Sequence, residues 1–179
     1  MATVGIHLIW TAYGTWLPGD DRGHWSPLYH FYGDVIERGG QLNRSDLTTR
    51  EYARQRLAEP VKFLSLEERI VVATKLGTLL GGPRQPRDYA AAIEENHVHL
   101  LLGPVEEKIH VTAGRLKGCT SSEVLALRTN QHRKRTGTSK YWKVFLYDDT
   151  AVFAVKQYIE EHNLRRGLPA SPYDWLTRL

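Results

Sequence analysis

The stretch Glu-Glu-Asn-His-Val-His-Leu-Leu-Leu-Gly at residues 94–103 most constrains what this chain can fold into. An apolar run follows the histidines and stops at a Gly-Pro pair, which predicts a buried strand over residues 97–102, preceded by a polar turn. Because successive side chains of a strand point to opposite faces, His97 and His99 lie on the same face. Two neutral imidazoles side by side on a rigid element form half of a divalent metal site. The competing interpretation is a chance His-x-His pair in a chain with 8 histidines.

The order of the predicted elements indicates an α+β fold. The predicted strands cover residues 4–16, 88–93, 97–102 and 141–146, and the predicted helices cover residues 46–57, 65–80, 107–128 and 149–166. Apart from the short first helix, strand, helix, hairpin, helix and strand form the ferredoxin-like split βαβ antiparallel sheet, in which the histidine strand is central. The last helix follows this unit. We expect one domain over residues 1–179, with an insertion of weak pattern at about residues 28–64.

The helix over residues 65–80 carries its own start signal. Ser65 followed by Glu68 forms a capping box, and a Gly-Gly-Pro sequence ends the helix. The apolar spacing predicts a packing face made of Leu66, Ile70, Ala73 and Leu80.

Composition limits the class of protein and the kind of partner. The formal net charge is +4, which favours a polyanionic partner such as nucleic acid. The single cysteine, Cys119, excludes an intrachain disulfide and a cysteine-based zinc site. No signal peptide and no apolar run of about 20 residues is present, so we expect a cytoplasmic, nucleoid-associated protein with no membrane partner.

Three basic segments are candidates for nucleic-acid contacts. Lys and Arg lie beside small residues in the helix at 107–128, a basic loop follows at 131–140, and aromatic and basic residues alternate near residue 22. The candidate residues are Arg115, Lys117, Thr120, Arg133, Lys134, Arg135, Arg22 and Trp25. The alternatives are a helix that packs closely on the sheet, a solvated loop and a loop held by its tryptophans.

The last helix places a tyrosine beside two candidate ligands. Tyr158, Glu161, His162 and Arg165 follow the spacing i, i+3, i+4 and i+7, so they share one face. Across the sheet, Tyr158 would come close to a metal held by His97 and His99. In the alternative interpretation Tyr158 anchors the helix through its ring.

Four stretches together resemble the HUH single-tyrosine transposases, in the branch of the REP-associated tyrosine transposases. Asn-His-Val-His-Leu-Leu-Leu at 96–102 resembles the family's HUH strand, and Tyr-Ile-Glu-Glu-His-Asn-Leu-Arg-Arg-Gly-Leu-Pro at 158–169 resembles its tyrosine helix. Gly-Arg-Leu-Lys-Gly at 114–118 and the segment at 7–20 resemble further family segments.

The resemblance implies cleavage and rejoining of single-stranded or hairpin DNA in transposition. It implies that His97 and His99 hold a magnesium or manganese ion and that Tyr158 forms a 5′-phosphotyrosine intermediate. The chain departs from the family where His162-Asn163 replaces the usual Asn-Pro. His162 can still serve as the third ligand and would favour softer ions such as manganese or zinc. Glu161 is the competing third ligand.

Two hypotheses of different classes follow. The first is an active DNA-cleaving transposase, and the second is a catalytically inactive, domesticated DNA- or RNA-binding module. The joint presence of His97, His99 and Tyr158 favours the enzyme, since a binding module needs none of them. A zinc hydrolase or deaminase is disfavoured because no His-x-Glu and no Cys-x-x-Cys occurs. The sequence does not decide between a monomer and a homodimer, or whether the tyrosine serves its own chain's metal site.

Overall fold

The fold was analysed in a computed structural model that describes residues 2–17, 20, 47–82, 87–130 and 132–177. Its elements in chain order are β1 (Gly5–Thr11), α1 (Leu47–Gln55), α2 (Leu66–Leu80), β2 (Asp88–Ile93), β3 (His97–Leu102), α3 (Ile109–Ala126), a 3₁₀ turn (Arg128–Asn130), β4 (Trp142–Leu146) and α4 (Asp149–Arg165). Each corresponds to a predicted element except for the 3₁₀ turn, which the sequence did not indicate.

The four strands form one antiparallel sheet in the order β2-β3-β1-β4. This is the strand order of the split βαβ unit, so the predicted α+β, ferredoxin-like class is confirmed. The histidine strand β3 lies between β2 and β1 and is therefore central, as predicted. In the register between β1 and β3, His97 is opposite Thr11 and His99 is opposite Ile9.

The two faces of the sheet are covered by different helices. One face packs against α2 and α3 in a core that includes Leu8, Leu100, Leu76 and Leu116. The other face packs against α4 in a smaller cluster made of Ala90, Ala92, Leu101, Leu146, Val152 and Ile159. Because Leu101 belongs to this second cluster, the odd-numbered side chains of β3, including both histidines, face the side of α4.

Helix α2 confirms the predicted cap and corrects the predicted face. Both capping-box hydrogen bonds are present, from Ser65 N to Glu68 Oε2 (2.7 Å) and from Glu68 N to Ser65 Oγ (3.2 Å). The predicted face was wrong at Leu66 and Ile70, which are exposed, whereas Leu80 is buried and Ala73 packs against the core as predicted. The buried residues of the helix are Glu68, Val72, Leu76 and Leu80. The buried stripe starts at Glu68, whose carboxylate is accommodated by Lys62 Nζ at 2.5 Å and by the Asn130 side-chain amide.

Some predictions fall outside the described residues. Arg22, Trp25 and residues 28–46 of the predicted insertion lie there, so the single-domain assignment stays a prediction. No helix in the described part of the chain is long and apolar enough to span a membrane.

Candidate metal centre and its tyrosine

Three histidines from two elements come together on the α4 side of the sheet. His97 and His99 project from β3 and His162 projects from α4, and their ligand nitrogens all lie within 4.8 Å of one another. A single ion with bonds of about 2 Å to each nitrogen would therefore need only small side-chain movements. The three residues could hold a divalent metal ion.

Helix α4 is held in position at both ends. At its start, Asp148 caps the helix by accepting a hydrogen bond from Ala151 N (2.8 Å). Near its end, the buried Asn163 side chain donates to Ala91 O of β2 and to Ala170 O, each at 2.9 Å. These contacts set the rotation of α4 about its axis and thereby direct the neighbouring His162 toward β3.

The Nδ1 atoms of two of these histidines are hydrogen-bonded to side-chain oxygens. His162 Nδ1 donates to Glu94 Oε1 at 2.5 Å, and its Nε2 is buried with no hydrogen-bond partner among the described residues. His97 Nδ1 donates to Asn96 Oδ1 at 2.6 Å. A carboxylate or carbonyl behind a ligand imidazole fixes its tautomer and orientation in metal sites. The unpaired buried nitrogen of His162 and the all-nitrogen donor set fit a divalent transition ion.

A fourth histidine lies behind His99. His7 Nε2, on β1, is 2.9 Å from His99 Nδ1, and both side chains are buried. Burial, and to a smaller extent the neighbouring His162, lower the pKa of His7 to about 4. Burial, and then the proximity of His97, lower the pKa of His99 far below its ordinary value. Both rings are therefore neutral near pH 7, the state in which imidazole binds a metal.

Tyr158 stands over the histidines of its own chain. Its ring centroid is 4.8 Å from that of His162 and 5.6 Å from that of His99. The side chain is 45% exposed, so it is open to a ligand from solvent. Burial of the rest of the ring raises the pKa of the phenol, Arg165 lowers it and Glu94 raises it, with the balance upward. The phenol is therefore protonated at neutral pH.

The two candidates for the third ligand lie in different surroundings. Glu161 accepts a hydrogen bond from Arg165 Nη2 (3.1 Å) on the exposed side of α4. It lies outside the histidine cluster, whereas His162 lies within it.

The predicted nucleic-acid residues of α3 make contacts within the fold. Lys117 Nζ donates to three carbonyls of the following loop, at Thr138 (3.0 Å), Ser139 (3.0 Å) and Lys140 (2.7 Å). Burial lowers its pKa to about 8. Thr120 is buried, and its hydroxyl donates to Leu116 O at 2.8 Å. Their predicted DNA contacts stay predictions.

The other basic candidates differ in the contacts that their side chains make within the protein. Arg133 Nη2 donates to Pro60 O at 2.7 Å, and the Arg135 guanidinium lies 5.6 Å from the ring centroid of Tyr13. Arg115 forms an ion pair with Glu107 at 3.3 Å. Lys134 is exposed, and its side chain lies on the surface of the loop.

Sequence reasoning did not assign site roles to Glu94, Asn96, His7 or Asn163. Glu94 and Asn96 stand in the turn directly before the histidine strand, which was the one available signal for them. The contact of His7 with His99 depends on the pairing of β1 with β3, and the contact of Asn163 with Ala91 depends on how α4 packs on the sheet. Local sequence patterns predict neither of these two contacts.

No protein-family model and no curated protein matches the chain. Among solved structures, one similar chain is from Deinococcus radiodurans R1 and is described as a candidate transposase. It is 16% identical to this chain, the match covers 90% of this chain and 92% of that chain, and the TM-score is 0.39. Another is a REP-associated tyrosine transposase bound to a REP hairpin. It is 9% identical to this chain, the match covers 93% of this chain and 70% of that chain, and the TM-score is 0.42. With TM-scores below 0.5, neither likeness assigns an activity to this chain.

Proposed function

We propose that this chain is a metal-dependent enzyme that cuts and rejoins single-stranded DNA beside hairpins, with Tyr158 as the nucleophile. The observation that carries the proposal is the convergence of His97, His99, His162 and Tyr158 from two distant segments at one point above the sheet. A ligand triad with a tyrosine beside it offers both an electrophilic centre and a nucleophile, whereas a nucleic-acid-binding module requires neither.

His97, His99 and His162 would hold the ion, and its chemistry would be to polarise the scissile phosphate and neutralise developing negative charge. Three imidazole nitrogens suit manganese better than magnesium, because magnesium prefers oxygen ligands. Glu94 and Asn96 keep two of the rings in the tautomer that presents Nε2 to the ion.

Tyr158 would attack the phosphorus atom. The bond from the tyrosine oxygen to phosphorus forms, and the bond from phosphorus to the 3′ oxygen breaks. The product is a 5′-phosphotyrosine and a free 3′-hydroxyl, so the proton lost by the phenol equals the proton gained by the 3′ oxygen. The linkage conserves the phosphodiester bond, and attack by another 3′-hydroxyl reverses the reaction and joins strands.

The whole constellation belongs to one chain. Tyr158 lies over its own chain's histidines, so the proposed reaction needs no residue from a second copy. Outside the cluster, Arg115, Lys134 and Arg135 are the basic side chains that we assign to the DNA phosphates, since phosphate contacts position the strand without reading its sequence.

The test is a covalent-adduct assay with Tyr158→Phe. This variant keeps the ring and removes only the nucleophilic oxygen. Tyr147→Phe is the matched control, because Tyr147 is also half exposed and lies outside the histidine cluster. The substrate is a pool of DNA hairpins with randomised single-stranded flanks, incubated with manganese and labelled at either the 3′ or the 5′ end.

Wild type and Tyr147→Phe should each form a protein adduct that carries the 3′ label and lacks the 5′ label. Tyr158→Phe should form none. An adduct that persists in Tyr158→Phe would show that another residue attacks. Hairpin binding by the wild type without any adduct would favour the catalytically inactive binding module instead.

A further inference from the structure

His7 has a contact that the proposed reaction does not use. It lies on β1, diagonal to His99 on the neighbouring antiparallel strand, because His7 pairs with Leu101 and Ile9 pairs with His99. Diagonal side chains on one face are within reach of each other when they are long or aromatic. The ring centroids are 5.1 Å apart with an angle of 26° between the ring planes, and His7 Nε2 lies 2.9 Å from His99 Nδ1.

We propose that His7 is a positioning residue for the metal centre: its Nε2 accepts the Nδ1–H of His99 and thereby commits His99 Nε2 to the ion. The inference rests on the proposed metal centre and adds a residue to it. His7 itself does not touch the ion or the DNA.

The two facing nitrogens of His7 and His99 share one proton. A hydrogen bond between two neutral imidazoles requires that one nitrogen carries hydrogen and that the other offers a lone pair. If His7 donated, His99 would accept at Nδ1 and carry its own hydrogen on Nε2, the ring nitrogen that His7 does not contact. The His99 ring lies 4.5 and 4.8 Å from the rings of His97 and His162 between centroids, so the cluster depends on this second nitrogen. That hydrogen would occupy the place of the ion. If His99 donates, Nε2 is free of hydrogen and the cluster can bind.

The same pattern recurs at the other two ligands. Glu94 stands behind His162 and Asn96 stands behind His97, and each is an acceptor bonded to Nδ1. With His7 behind His99, all three ligand histidines would have a fixed Nδ1–H and present Nε2. His7 is the member of this set that can act as acceptor or donor, so its own tautomer must be the one protonated on Nδ1.

The first experiment measures the tautomer directly in the metal-free wild-type protein. Long-range proton–nitrogen NMR spectra of protein labelled with ¹⁵N-histidine distinguish a protonated Nδ1 from a protonated Nε2. We expect His99 to be protonated on Nδ1 and His7 to be unprotonated on Nε2. A His99 ring protonated on Nε2 overturns the proposal.

The second experiment compares manganese affinity in His7→Gln and His7→Leu by titration calorimetry. Glutamine places an amide oxygen near the position of Nε2 and keeps the acceptor, whereas leucine removes it. His7→Leu should bind manganese about 10- to 100-fold more weakly, as is usual when an outer-shell partner is lost, and His7→Gln should retain most of the affinity. Equal affinity in His7→Leu and wild type overturns the role, and so does an equal loss in both variants, which indicates packing alone.

These outcomes are separable from failure of the metal centre. If the wild type itself binds no manganese, the proposed function fails together with the role of His7. If the wild type binds and His7→Leu binds equally well, only the role of His7 fails. If His7→Leu does not fold, the wild-type tautomer and His7→Gln decide.

Discussion

Removal of the Glu94 carboxylate should weaken the metal centre although Glu94 lies outside the ligand triad. Its Oε1 accepts the Nδ1–H of His162 at 2.5 Å, and its Oε2 is 3.9 Å from His97 Nδ1. One carboxylate therefore orients a ligand on α4 and lies close to a ligand on β3. In Glu94→Ala, His162 loses the group that fixes its tautomer, and its ring can rotate away from the cluster.

The expected magnitude follows from the type of contact. Loss of an outer-shell carboxylate costs about 10- to 100-fold in metal affinity, which corresponds to about 1.4–2.8 kcal/mol. We expect the upper half of this range for Glu94→Ala, because the hydrogen bond is short, charge-assisted and largely shielded from solvent. Glu94→Gln keeps an acceptor oxygen and loses the charge, so its effect should be smaller.

Manganese titration by calorimetry measures this loss, and Glu161→Ala is the control. Glu161 is also a carboxylate near His162 in sequence, but it pairs with Arg165 at the surface and lies outside the cluster. Its removal should leave the affinity unchanged. If Glu94→Ala binds manganese as tightly as Glu161→Ala, Glu94 does not orient His162 and the reasoning is refuted.

Two further predictions concern stability. Burial raises the pKa of the Asp88 carboxyl to about 7. Between about pH 4 and 7 the native state therefore keeps a proton that the unfolded chain has released. The contribution of this proton to the free energy of unfolding is lost as the pH rises through that window. Asp88→Asn should therefore raise Tm more at pH 8 than at pH 4.5, and equal shifts in thermal melts at both pH values would contradict the assignment. Gly77→Ala should lower stability by about 1–3 kcal/mol, because an added Cβ would lie 2.6 Å from Trp175 Cδ1. Gly114→Ala, with nothing within 4 Å, should raise stability by up to about 1 kcal/mol, and the same sign for both glycine variants in denaturant titrations would argue against the Trp175 contact.

The elements were predictable because their signals are local. The bounds of β2 and β3 agree with the predicted strands, and the capping box of α2 forms as its spacing requires. The first half of the predicted packing face of α2 was wrong for a nonlocal reason. Burial of Glu68 depends on Lys62 and Asn130, and Asn130 lies far along the chain in the 3₁₀ turn. The predicted face omitted Glu68, whereas hydrogen bonds from these two partners compensate the burial of its carboxylate.

The choice of a candidate third ligand also could not be predicted from local sequence. Glu161 and His162 lie on either side of the helical line through Tyr158, so the sequence leaves both within reach. The rotation of α4 about its axis decides between them. The contacts of α4 with the sheet fix that rotation, among them the bond from the Asn163 amide to Ala91 on β2 and the packing of Ile159. These contacts place His162 in the histidine cluster and leave Glu161 outside it, and no helical pattern contains them.

The period of two in β3 connects the fold to the proposed chemistry. Val98 and Leu100 pack under α2 and α3, so a slip of one residue would turn the histidines into that apolar core and turn Val98 and Leu100 toward α4. The core therefore fixes the register, and the register fixes the histidines. The site that results is asymmetric, since His99 is 4% exposed whereas Tyr158 is 45% exposed. The proposed reaction needs a nucleophile that DNA can reach, and Tyr158 is far more exposed than His99.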